Sequence, residues 1–107
     1  MTVTIPHHKT KEEAIQVIDS HADELFEIPG PTTIQITEPK KTWNGSTMDF
    51  IVTAKAGFIS LPIGGSVVVD DTNITINIDI PPLVSKFLNE DSLRAGIETK
   101  ARGILGV

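Results

Sequence analysis

Two histidines, His7 and His21, have the side chains best suited to chemistry in this chain. His7 shares the alternation of the first apolar residues, and His21 lies between Ile18 and Leu25 in a later apolar stripe, so both are expected to face one interior. Two facing imidazoles are able to bind a metal ion or to pass a proton. No third ligand stands at a recognisable spacing, which favours two hydrogen-bonded structural histidines, and no metal site is predicted.

Three pairs of acidic residues are the next candidates. Glu12-Glu13 and Glu90-Asp91 stand at predicted helix starts, where negative charge complements the helix dipole. Asp70-Asp71 stands in a predicted hairpin turn, where aspartate accepts backbone hydrogen bonds. A calcium loop needs further oxygen ligands at fixed offsets, and these pairs lack them. All three pairs are therefore interpreted as structural.

The other chemistry-bearing residues point away from catalysis. Gly64-Gly65 lacks the lysine and the following helix of a phosphate-binding loop, so it is interpreted as a bend. No serine stands in a nucleophile elbow, and the absence of cysteine removes thiolate chemistry. No catalytic residue and no cofactor are predicted. Trp43, the only tryptophan, is expected to pack at a sheet edge, to line a pocket mouth or to contact a partner.

The elements that position these residues begin with a strand and a helix. Alternation around Ile5 predicts a short strand limited by Pro6. Thr10 and Glu13 form a capping box, and the helix that follows is expected to end at Pro29-Gly30-Pro31. Its buried stripe comprises Ala14, Ile15, Ile18, Ala22 and Leu25.

Four further strands are predicted as an antiparallel meander. A second strand runs from Thr32 to a break at Pro39-Lys40-Lys41, and a third follows Trp43. A turn at Ala56-Gly57 places Ala54 opposite Ile59, Val52 opposite Leu61 and Phe50 opposite Ile63. A turn at residues 70–73 places Val69 against Ile74, Val67 against Ile76, Gly65 against Ile78 and Ile63 against Ile80. Both turns select the same apolar face.

Prolines mark the remaining features. Pro62 cannot donate to a ladder, so with Gly64-Gly65 it predicts a bulge or sharp bend in a strand paired on both sides. Pro81-Pro82 ends the last strand and begins a kinked or two-part helix, in which the apolar pattern breaks near Asn89-Glu90-Asp91. Its apolar residues are Leu83, Val84, Phe87 and Leu88 in the first part and Leu93, Ile97, Ala101, Ile104 and Leu105 in the second.

These elements predict one α+β domain over residues 1–107, in the order β-α-β-β-β-β-α, with helices on one face of a curved antiparallel sheet. The net charge of −5 and the scattered basic residues argue against nucleic-acid binding. No apolar run is long enough to span a bilayer. The lack of cysteine and of a secretory signal favours the cytoplasm.

Several short motifs stand in one order along nearly the whole chain. They are Val3-Thr4-Ile5-Pro6-His7, Thr10-Lys11-Glu12-Glu13-Ala14, Trp43-Asn44-Gly45, Phe50, Ala56-Gly57-Phe58, Gly65-Ser66-Val67-Val68-Val69-Asp70, Ile78-Asp79-Ile80-Pro81-Pro82-Leu83 and Phe87. This order resembles the polyhydroxyalkanoic acid system protein family, small bacterial proteins often associated with storage-granule gene regions. The resemblance implies a cytoplasmic protein linked to polyhydroxyalkanoate granules or their metabolism. It implies no catalytic residue.

Two functional hypotheses follow. In the first, a non-enzymatic accessory protein meets the granule surface or a granule protein through exposed apolar residues of the C-terminal helix or of Ile59-Leu61-Ile63. In the second, the sheet and helix form a helix-grip-like cavity for a small, fatty-acyl-like ligand. The candidate ligand or partner residues are Trp43, Phe50, Gly65, Ile78 and Phe87. A homodimer through the apolar helix face is a further expectation.

Overall fold

The computed structural model describes residues 1–25, 35–82 and 89–107. Within them it contains an open five-stranded antiparallel sheet with helices packed on it, which confirms the predicted α+β class. The strands are β1 (Thr2–Pro6), β2 (Gln35–Asn44), β3 (Thr47–Ala56), β4 (Ile59–Val69) and β5 (Asn73–Asp79). The helices are α1 (Lys11–Ser20), α2 (Ala22–Leu25) and α3 (Glu90–Leu105).

The sheet has the strand order β1-β5-β4-β3-β2, and every neighbouring pair is antiparallel. The last four strands form the predicted meander, and β1 adds to its edge beside β5. Helix α3 packs against β1, α1 and α2, while α1 packs on β4. The buried strand residues are Val3, Ile5, Met48, Phe50, Val52, Ala54, Ile63, Val67, Val69, Ile74, Ile76 and Ile78. One apolar face of the sheet therefore forms the core with the helices.

The β3–β4 hairpin turns one residue later than predicted. Its loop is Gly57-Phe58, closed by Ala56 opposite Ile59. Gly57 has a φ of +61°, which suits the first central position of a type II′ turn. The observed pairs are Ala54 with Leu61, Val52 with Ile63 and Phe50 with Gly65, so the predicted register is wrong by two residues. Because side chains alternate with a period of two, the same residues still face the core.

The β4–β5 register is confirmed over most of its length. The observed pairs include Val69 with Ile74, Val67 with Ile76 and Gly65 with Ile78. The ladder ends at Gly64 opposite Asp79, so the fourth predicted pair, Ile63 with Ile80, does not form.

Pro62 lies in a continuous β3–β4 ladder, which corrects the predicted bulge. The Val69 amide donates toward β3, to Ser46 O at 2.9 Å, whereas the Asp70 amide donates toward β5, to Asn73 O at 2.9 Å. Successive backbone nitrogens of β4 thus face β3 and β5 in turn, and the nitrogen of Pro62, like that of Asp70, faces the β5 side. At Pro62 the β4–β5 ladder has already ended, because its last pair is Gly64 with Asp79. The proline is tolerated because no ladder hydrogen bond is required of it there.

Strand β2 continues through the predicted break at Pro39. Its register with β3 shifts between Thr37 and Lys40, so the proline lies in a bulge rather than at the end of a strand. The strand runs on to Asn44, which places Trp43 near the end of β2, opposite Met48. The predicted beginning of this strand, residues 32–34, lies outside the described residues.

The first helix begins as predicted. Thr10 is its N-cap, and the Thr10 Oγ1 atom accepts the Glu13 amide at 3.2 Å and donates to Glu13 Oε1 at 3.1 Å. The helix is interrupted at His21, so the predicted single helix consists of α1 and the short α2. Its predicted end at Pro29-Gly30-Pro31 lies outside the described residues.

Helix α3 corresponds to the second part of the predicted C-terminal helix. Asn89 caps it, since its Oδ1 atom accepts the Ser92 amide at 3.1 Å. Its buried residues are Leu93, Ile97, Ala101 and Leu105. The first predicted part, with Leu83, Val84, Phe87 and Leu88, lies outside the described residues. None of the described helices combines the length and the apolarity needed to cross a bilayer.

Candidate functional site

Three of the predicted site residues lie in one row across the sheet. Phe50 on β3 stands opposite Gly65 on β4, which stands opposite Ile78 on β5. Phe50 and Ile78 are only 6% and 7% exposed. A Cβ added to Gly65 would meet the Asn77 carbonyl oxygen and stand 2.5 Å from Phe50 Cζ, so the aromatic ring lies directly against the glycine. The row is therefore closely packed around the Phe50 ring.

The other two predicted site residues are not part of this row. Trp43 lies on β2, half-buried at the border of the core. Its Nε1 atom donates to Asp19 Oδ1 at 2.8 Å, at the end of α1. Phe87 lies outside the described residues.

Lys41 completes a polar clamp between β2 and α1. Its Nζ atom donates to the Asp19 carbonyl oxygen at 2.8 Å and lies 2.9 Å from Asp19 Oδ1. The hydrogen bond from Lys41, followed by that from Trp43, holds the pKa of Asp19 below its ordinary value. The clamp explains Trp43 as the residue that fastens the sheet edge to the first helix.

The two candidate histidines lie in different environments. His7 is fully buried, and its Nδ1 atom accepts the Lys9 amide at 3.0 Å. Its Nε2 atom therefore carries the proton, which it donates to the Asp70 carbonyl oxygen at 2.8 Å. His21 is exposed, with Nδ1 3.4 Å from Glu24 Oε1, so the predicted interior pair does not form. The described residues contain no cluster of three metal-ligating side chains.

The predicted acidic turn has a structural role. Asp70 Oδ1 accepts the amides of Asn73 and Thr72 at 2.6 and 2.8 Å. These two hydrogen bonds, that from Asn73 first, lower the pKa of Asp70. The Asp70 carboxylate closes the β4–β5 turn, while the backbone carbonyl oxygen of Asp70 accepts the hydrogen bond from His7.

Two depressions of the described surface are open to solvent. One, of about 640 Å³, is lined by His8, Lys9 and Glu13 at the start of α1 and by the β4–β5 turn. The other, of about 450 Å³, lies between α2 and α3 and is lined by His21, Glu24 and Lys100. Neither contains any of the five predicted ligand or partner residues.

Apolar exposure is greatest at the end of the β3–β4 hairpin. We call Gly57, Phe58 and Ile59 the hairpin tip. The Phe58 side chain is fully exposed, and Ile59 is 37% exposed. Ile51, 54% exposed, lies on the outer face of β3, five residues before the end of that strand.

The hairpin tip corrects the predicted apolar surface. Of the proposed Ile59-Leu61-Ile63 stripe, Ile63 is buried and Leu61 is partly buried, so only the end of the stripe reaches solvent. Phe58 was missing from the predicted apolar surface because the predicted turn at Ala56-Gly57 places it within a strand. The preference of type II′ turns for glycine at their first central position is the signal that would have found it.

The hairpin also differs in charge from the rest of the chain. Residues 50–69 contain one charged residue, Lys55, and none of the 14 acidic residues. Lys55 is exposed and stands opposite Ser60, one pair away from the pair that closes the turn. The β3–β4 hairpin thus carries two charged residues, Lys55 near the tip and Asp49 near its opposite end, in a protein of net charge −5.

Comparison with known proteins found no matching family model, no matching curated protein and no matching solved structure.

Proposed function

We propose that this domain is a non-enzymatic accessory protein of the cytoplasm that binds polyhydroxyalkanoate storage granules through exposed apolar residues. The observation that carries the proposal is the hairpin tip, where Phe58 is fully exposed beside the exposed Ile59. The order of sequence motifs that resembles the polyhydroxyalkanoic acid system family supplies the granule setting.

The physical basis is the removal of apolar side chains from water. Moving one fully exposed phenylalanine into an apolar phase gains about 1.5–3 kcal/mol. A polyester surface offers such a phase without requiring a shaped pocket on the protein. Phe58 is available for this transfer because it makes no contribution to the buried core.

The polar groups that first suggested chemistry have structural partners instead. His7 joins β1 to the β4–β5 turn, and Asp70 closes that turn. Asp19 accepts from Lys41 and Trp43. Each of these groups is already committed to holding the fold, which supports a binding role in preference to a catalytic one.

The charge distribution supports the same role. Thirteen of the 14 acidic residues lie outside the hairpin that carries the tip, and the other one, Asp49, stands near the opposite end of β3. A protein bound through the tip would therefore keep its acidic part in water, where net negative charge favours solubility and opposes self-association.

Sedimentation with polymer particles tests the proposal. The purified protein is mixed with amorphous poly(3-hydroxybutyrate) particles, and cellulose particles of equal surface area serve as the uncharged hydrophilic control. We expect saturable co-sedimentation with the polyester and none with cellulose. Protein that stays in the supernatant with both materials contradicts the proposal. Binding to native granules but not to pure polymer would contradict direct binding to the polyester and would indicate a granule protein as the partner.

Native mass spectrometry of the same protein tests the alternative. A retained molecule of constant, fatty-acyl-like mass would support a small apolar ligand-binding protein in place of a granule-surface protein. The same spectrum measures the expected homodimer. In the described part of the chain, the apolar side of α3 is buried in the protein's own core, so this side of α3 is not available to a dimer.

A further inference from the structure

We propose that Phe58 is the anchor residue of the granule-bound state, with the hairpin tip inserted end-on into the polyester and the helices left in water. This inference rests on the proposed function and assigns its binding mode. The occupant of the site is an uncharged, water-insoluble polyester surface.

The turn holds Phe58 in a defined position. Ala56 pairs with Ile59, so only two residues, Gly57 and Phe58, connect the strands. A two-residue hairpin loop with glycine at φ +61° is a restricted turn rather than a mobile loop. Binding through such a turn requires little further ordering of the backbone, because the turn already restricts it.

The residues around the tip carry little charge, which suits contact with an uncharged apolar phase. Insertion of an acidic residue would carry a large desolvation cost, and residues 50–69 contain no acidic residue. The only charge in this range is Lys55, whose long apolar stem allows the ammonium group to remain in water while the neighbouring tip is buried. The tip is thus able to enter the polyester without burying a charge.

The free edge of β4 is poorly suited to a second protein strand. Beyond Gly64 the described strand β5 no longer pairs with β4, so residues 59–63 have only β3 beside them in the described sheet. On this free side the alternation places Ser60 and Pro62, and the proline has no amide hydrogen. A single donor, that of Ser60, remains for strand addition. Recognition through inserted side chains is therefore favoured over strand addition by a second copy.

Two matched variants test the anchor in the sedimentation experiment. Phe58→Ser removes the exposed ring at the tip, whereas Ile51→Ser removes an exposed apolar side chain from the outer face of β3. We expect Phe58→Ser to weaken binding to poly(3-hydroxybutyrate) about 10- to 100-fold, the equivalent of burying one phenylalanine. Ile51→Ser is expected to change it less than about 3-fold, as for a side chain that stays in water.

The sedimentation results distinguish a wrong anchor residue from a wrong proposed function. If the wild-type protein binds the polymer and Phe58→Ser binds equally well, the anchor assignment is wrong and the proposed function stands. If the wild-type protein does not bind, both are wrong. A larger loss for Ile51→Ser than for Phe58→Ser would place the binding surface on the outer face of the sheet and overturn the assignment.

A spectroscopic probe tests insertion itself. Phe58→Trp places an indole at the tip, and the wild-type protein, with Trp43 alone, supplies the background. On polymer particles the added tryptophan should shift to shorter emission wavelength and become protected from acrylamide. An added tryptophan that remains fully quenchable on sedimented particles overturns insertion. Tighter binding to neutral phosphatidylcholine vesicles than to polyester overturns the choice of occupant.

Discussion

The ring of Phe50 lies directly against Gly65 on the neighbouring strand, in the space that a side chain at this glycine would require. We therefore expect Gly65→Ala to lower the free energy of unfolding by about 1–3 kcal/mol, the usual cost of overpacking a core. Urea unfolding measures the change. Gly64→Ala is the matched control, because the nearest atom to its new Cβ is Phe50 O at 4.0 Å. Equal losses of stability in the two variants would show that the position of the Phe50 ring does not require a glycine at position 65.

His7 is expected to be a buried neutral imidazole that carries its proton on Nε2. The assignment follows from the Lys9 amide, which donates to Nδ1. Nitrogen-15 NMR of the ring distinguishes the two neutral tautomers, and an Nδ1-protonated ring would contradict the structure. Replacement by alanine should cost about 2–4 kcal/mol, since it leaves a cavity and unpaired backbone groups. His21→Ala, at an exposed position, is the control and should cost less than about 1 kcal/mol.

Asp70 is expected to make the stability of the protein depend on pH in the acidic range. Its carboxylate is held by the Asn73 and Thr72 amides, so its pKa is lower in the folded than in the unfolded protein. Its contribution is fully present above the unfolded pKa of about 3.9 and is lost as the pH falls through the lower folded value. Urea midpoints between about pH 6 and 2.5 measure the slope.

Asp70→Asn should make the fall of the urea midpoint with decreasing pH shallower. Asp71→Asn removes the same charge from the same turn, and so separates the effect of net charge from that of the hydrogen bonds of Asp70. An identical change of slope in the two variants would mean that the amide contacts of Asp70 do not cause the pH dependence.

Phe58 is expected to be dispensable for folding. Because its side chain is fully exposed, Phe58→Ser should change the free energy of unfolding by less than about 0.5 kcal/mol. Phe50→Ala removes an aromatic ring of the same type from the core and should cost about 3–5 kcal/mol. Thermal and urea unfolding measure both. A large loss of stability in Phe58→Ser would indicate that the tip packs within the protein, and would remove the basis for its proposed binding role.

Much of the sheet was predictable because alternation is a local property. Val67, Val69, Ile74 and Ile76 read as core residues from their spacing alone, and the polar turn between them determines their pairing. The β3–β4 register was not predictable in the same way. Ala56-Gly57 and Gly57-Phe58 are both acceptable turn positions, and both place the same residues in the core.

The helical errors have a different cause. The spacing of Ile18 and Leu25 continues past His21, yet the helix is interrupted there and the imidazole points to solvent. Lys41 and Trp43 meet Asp19 only because β2 continues past Pro39 and comes beside the end of α1. Contacts between distant segments of this kind have no local pattern in the chain.

The candidate site shows the same division. The sequence alone determined the α+β class, the apolar face of the sheet and the charge-poor range of residues 50–69, because these depend on residue type and spacing. Only the tertiary structure decided that Phe50 fills the space over Gly65 while Phe58, eight residues later, stands in solvent. Burial depends on which segments of the chain meet in space. Two phenylalanines on one hairpin can therefore have opposite environments, one in the core and the other in water.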